Sequence, residues 1–127
     1  MEPLSKIHHY LNSMEDLNKR LEDYDLKMIM EYEGVKKDDV DEVKACLFGE
    51  NEGPSWHYIL KMKDGTYKYL TGWCDYTGWG CRDGSSSKSG TLEELLDKVT
   101  DDDFGHKNVR QQLQDQIDGK QPYGLLK

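Results

Sequence analysis

Residues 56–73 constrain the fold more than any other stretch of this chain, because they spell a β-hairpin. Trp56 to Met62 alternates, Asp64-Gly65 is the strongest short turn signal, and Thr66 to Trp73 alternates back. With Asp64-Gly65 as a two-residue turn, Lys63 faces Thr66. The pairs Met62–Tyr67, Leu60–Tyr69, Tyr58–Thr71 and Trp56–Trp73 then share one face. That face is large and aromatic, and is expected to be either the core beneath an N-terminal helix or a partly open platform for a ligand. The opposite face pairs Ile59 with Leu70, His57 with Gly72 and Lys61 with Lys68, so its lysine end is expected to be wet.

Helical patterns flank the hairpin on both sides. Ile7, Tyr10 or Leu11, Met14, Leu17, Leu21, Tyr24 and Met28 recur at spacings of three and four behind Pro3. The spacing predicts a long amphipathic helix, packed on its own sheet or meeting a second copy or partner along an a/d-like seam. Gly34 ends it or marks a turn. Val40, Val43 and Leu47 suit a helix face, while Val43, Ala45 and Leu47 alternate as a strand; the turn from Gly49 to Pro54 favours a strand. Thr91 and Glu94 form a capping box ahead of Leu95, Leu96 and Val99. A second helix carries Val109, Leu113 and Ile117, with Gly119 as its C-cap and Pro122 beyond. Gly84 to Gly90, almost all Gly and Ser, reads as a mobile loop. The fold class is therefore α+β: a long N-terminal helix, a three- or four-stranded antiparallel meander and two C-terminal helices. At 127 residues the chain is expected to form one domain, 1–127.

Charge excludes some partners. The formal net charge is −8, and residues 1–55 alone hold 7 basic against 14 acidic side chains. Residues 56–90 invert the balance, with 5 basic and 3 acidic. Such a chain is no binder of nucleic acid through a basic face, nor of anionic membranes. No apolar run reaches the roughly 18 residues of a span, no signal-like stretch opens the chain, and three cysteines read as reduced thiols. A cytoplasmic location is expected.

The most unusual stretch is Gly72-Trp73-Cys74-Asp75-Tyr76-Thr77-Gly78-Trp79-Gly80-Cys81-Arg82. Asp75 to Gly78 has the Asp-first, Gly-last pattern of a type I turn, in which the Asp side chain bonds backbone N–H groups two residues on. Trp73 is expected in the core, with Asp75, Tyr76, Trp79 and Arg82 as the candidate binding residues around the turn. Together with Gly49 to Trp56, Lys63 to Gly65 and Gly119 to Gly124, this string resembles a group of small uncharacterised proteins of bacteria and their phages. In place of an acidic residue before the second cysteine and Gln after it, this chain has Gly80 and Arg82. The resemblance implies a shared fold and a phage or mobile-element origin, and brings no activity with it.

No metal or cofactor is expected. Cys74 and Cys81 lie seven apart, with Cys46 and His57 upstream, whereas structural zinc sites use cysteine pairs two to four residues apart. Cys74 and Cys81 stay open as a redox pair or as free thiols. His57, Cys74, Asp75 and Tyr76 would make an acid–base cluster if they converged; otherwise Asp75 shapes the turn and His57 is a surface histidine. His8, His9 and His106 read as exposed. The expected function is a non-enzymatic acidic protein that occupies a basic surface on a protein partner. A phage-encoded inhibitor of a host nucleic-acid-binding defence machine would act this way. The alternative is a small-ligand-binding or enzymatic domain with its site at the aromatic turn 73–82.

Overall fold

The computed structural model describes residues 17–49, 55–73, 84–100 and 106–119. A 3-10 helix (Leu17–Glu22) leads into α1 (Tyr24–Glu33), and a second short 3-10 turn (Lys37–Asp39) precedes the sheet. Strands β1 (Val40–Leu47), β2 (Trp56–Met62), β3 (Tyr67–Trp73) and β4 (Gly84–Gly90) form an antiparallel meander in that order. Helices α2 (Leu92–Asp97) and α3 (Val109–Ile117) follow. Among the described residues, no helix is long and apolar enough to cross a membrane.

The sheet is buried on both faces. One face presents Val43, Cys46, Tyr58, Leu60 and Leu70 to Leu26, Ile29 and Met30 of α1. The other presents Ala45, Leu47, Ile59 and Tyr69 to Leu95 and Leu96 of α2 and Val109 and Leu113 of α3. Tyr58, Ile59 and Leu60, consecutive along β2, are therefore all fully buried. Each such side chain contributes about 1.5–3 kcal/mol through loss of apolar contact with water.

The hairpin register differs from the expected one by one residue. Met62 N–H donates to Thr66 C=O at 2.8 Å and Gly65 N–H to Met62 C=O at 3.0 Å, which makes a three-residue loop, Lys63-Asp64-Gly65. Gly65 takes φ +92°, the left-handed position of a bulged hairpin that a side chain would strain. Asp64 Oδ1 accepts from the Thr66 N–H at 2.9 Å and from its hydroxyl at 2.6 Å, and these bonds hold the Asp64 carboxyl below its usual range. The observed pairs are Tyr58–Leu70, Ile59–Tyr69 and Lys61–Tyr67. Tyr67, Tyr69, Thr71 and Trp73 thus lie on the face opposite Trp56, Tyr58, Leu60 and Met62. No single aromatic face exists, and Lys61 and Lys68 do not oppose each other.

Strand β1 also resolves an ambiguity in the sequence. Register shifts between Val40 and Glu42, and again between Val43 and Ala45, each insert one residue. The three-residue spacing Val40, Val43, Cys46 consequently falls on one sheet face, opposite Met62, Leu60 and Tyr58. A helix-like period is written into a twice-bulged strand.

Strand β1 is an edge, and side chains close it. Asn18 Oδ1 accepts from Val43 N–H at 2.8 Å. The Gln116 amide accepts from Cys46 N–H at 2.7 Å and donates to Cys46 C=O at 2.9 Å, as a neighbouring strand would. The other edge is β4, so the Gly/Ser stretch read as a mobile loop is a strand. Its small side chains fit under the ends of longer ones: Lys68 Nζ donates to Ser89 Oγ at 2.6 Å, and Ser85 Oγ to Glu33 at 2.5 Å.

The helices begin and end as their residues dictate. Val35 N–H donates to Met30 C=O and Gly34 N–H to Glu31 C=O, a Schellman closure of α1 that seats Val35 in the core. The Thr91–Glu94 capping box is present in both directions. Extended Asp23 separates the 3-10 segment from α1, so residues 17–33 are not one continuous α-helix. Within the seam, Leu21 packs against the core while Tyr24 is 61% exposed. The core-facing stripe of α1 is Leu26, Ile29 and Met30 instead.

Candidate functional site

A cleft of about 280 Å³ opens on the α2/α3 face, at the end of the sheet where β3 leaves the core. Strand β2 supplies Ser55 at its lip and His57; β3 supplies Tyr69, Thr71 and Trp73; β4 supplies Ser86 and Lys88. Lys98 and Thr100, just past α2, complete the lining.

The floor is fixed by hydrogen bonds and ring packing. His57 Nδ1 and the Tyr69 hydroxyl lie 2.8 Å apart, and the two rings stack at 5.9 Å with 12° between their planes. The His106 ring meets His57 edge-on at 5.9 Å. His106 Nε2 is 2.9 Å from the Phe48 carbonyl, which can only accept, so Nε2 carries the proton. Both histidines are 4% exposed, which corrects the reading of His57 and His106 as surface residues. Their burial comes from β2 being covered on both faces and from His106 crossing to the end of β1.

On the wall, Thr71 Oγ1 and Ser86 Oγ are 2.6 Å apart across β3 and β4. Trp73 pairs with Gly84 and lies against it so closely that a Cβ there would sit 2.3 Å from the indole. A side chain at position 84 would force the ring to shift from where it lies, at the rim and 40% exposed. Trp73 is therefore not the core residue the alternation predicts, because the one-residue register shift and the end of β3 put it at the mouth of the cleft.

Asp75, Tyr76, Trp79 and Arg82, with Cys74 and Cys81, lie outside the described residues, as does any redox pairing of the two thiols. Cys46 and His57 point to opposite faces of the sheet, so they do not share a ligand set. Burial pushes the Cys46 thiol well above its usual range. Among the described residues, no three His, Cys, Asp or Glu side chains gather to hold a metal ion.

Sequence reasoning missed Lys88, Lys98, Ser86 and Thr100. The one signal was the reversal of charge in residues 56–90; the convergence itself is tertiary. A second hollow at the hairpin turn is lined by Asp39, Lys63, Asp64 and Thr66, of which Asp64 and Thr66 are bonded to each other. Comparison with family models, curated proteins and solved structures finds no match.

Proposed function

We propose that the chain is a non-enzymatic binding protein that engages its partner at the open end of the sheet. The cleft there is the surface, and Asp75, Tyr76, Trp79 and Arg82, which follow Trp73 in the sequence, stay as candidate binding residues. The observation that carries this reading is Trp73: a large aromatic packed on Gly84 at the cleft mouth while 40% exposed is the kind of anchor that dominates binding energy. His57 supports the floor through Tyr69 in this reading, and is not a reacting group.

A second reading rests on the 14 acidic side chains of residues 1–55. It takes the partner to be a protein with a basic surface, such as a host nucleic-acid-binding defence machine inhibited by a phage product. Ionic strength separates the two. Capture of a partner by the tagged protein should fall less than about threefold between 0.1 and 0.5 M salt if the cleft end carries the contact. A loss of tenfold or more supports acidic mimicry instead.

A further inference from the structure

The cleft carries more information than its position. Among the described residues its lining holds two ammonium groups and several hydroxyls and no carboxylate, in a chain where acidic residues outnumber basic ones 25 to 17. Some lysines elsewhere are ion-paired, Lys27 and Lys37 with Glu22, Lys44 with Glu42 and Lys61 with Asp41. Lys88 and Lys98 form no ion pair among the described residues. Glu94, the acid whose charge Lys98 feels, is committed to the Thr91 backbone N–H at 2.9 Å. Two cations without an ion pair among the described residues, beside the Thr71 and Ser86 hydroxyls, suit an anion with several acceptor oxygens. The indole of Trp73, packed on Gly84, offers a flat surface beside them. A volume of about 280 Å³ admits a small molecule.

We infer that this cleft binds a small anion carried on a planar ring, its charged group held by Lys88 and Lys98 and its ring laid against Trp73. A nucleoside monophosphate is the simplest ligand of that class. The inference rests on the reading that this end of the sheet is the binding surface, and specifies the chemistry it selects.

The test is calorimetry and amide chemical-shift mapping with adenosine monophosphate, adenosine and inorganic phosphate on the whole chain. Adenosine monophosphate should bind saturably and shift the amides of Thr71, Trp73 and Ser86. Lys88→Met and Lys98→Met should each weaken it about tenfold, about 1.4 kcal/mol, with melting temperatures unchanged because both side chains are exposed. Adenosine should bind at least about tenfold more weakly, for want of the charge. Phosphate alone should bind weakly and without dependence on Trp73. Failure of both adenosine monophosphate and phosphate to bind at millimolar concentration overturns the inference, as does adenosine binding equally well. If a captured protein partner is still lost on Trp73→Ala, the binding-surface reading survives that failure. If capture is indifferent to Trp73, the reading fails with it.

Discussion

Replacing Gln116 with alanine should destabilise the protein by about 3 kcal/mol, although Gln116 does not line the cleft. Its amide makes both hydrogen bonds that the outward-facing backbone of Cys46 needs, and Cys46 is fully buried while Gln116 is 6% exposed. Truncation leaves a buried N–H and a buried C=O without partners, each costing about 1–3 kcal/mol less whatever water recovers. Gln116→Leu separates this from packing, since leucine refills most of the volume and restores neither bond. Both variants should melt about 10 °C below the parent in a thermal scan. Recovery of the parent melting temperature by the leucine variant would show that Gln116 matters as filler. Opening this edge should also favour association, because an unpaired edge is a template for another strand.

The second large effect lies in α1. Ile29 is fully buried between the helix and the sheet, so Ile29→Ala should cost about 3 kcal/mol from lost transfer energy and the cavity left behind. Tyr24 belongs to the a/d-like seam but faces outward, 61% exposed, and Tyr24→Ala should cost under about 0.5 kcal/mol. Denaturant titration checks both. Light scattering on the same samples tests what the seam is for. If it joins two copies, the parent runs at about twice 14.8 kDa and Tyr24→Ala shifts toward the single-chain mass. A parent at the single-chain mass removes the dimer. Equal destabilisation by the two substitutions would contradict the assignment of the core stripe to Leu26, Ile29 and Met30.

What was legible in the sequence divides along the range of the interactions. The Thr91–Glu94 box and the end of α1 at Gly34 are set by residues three to five apart, and both stand as read. The hairpin was legible as a hairpin, but not its register. Asp-Gly serves two-residue and three-residue loops alike, and a sheet buried on both faces gives no polar side to choose between them. Strand β4 was illegible because Gly and Ser carry no strand propensity; what makes it a strand is the ladder offered by β3. The same holds for the site. Trp73 stood out as part of an unusual string, but Lys88 and Lys98 are ordinary lysines until β4 docks on β3 and α2 folds back beside them.

The central claim is that the Trp73 end of the sheet is a binding surface rather than part of the core. The most direct measurement pairs thermal melting with capture of the protein's partner, identified by mass spectrometry, for the parent and Trp73→Ala. Trp73 is partly exposed and packs on Gly84 at the end of its strand, so the variant should melt within about 4 °C of the parent, a loss near 1 kcal/mol. Capture should fall at least tenfold, as expected of an aromatic anchor worth about 1.4 kcal/mol or more. A variant that melts more than about 10 °C lower, or one that captures the partner as well as the parent does, would contradict it.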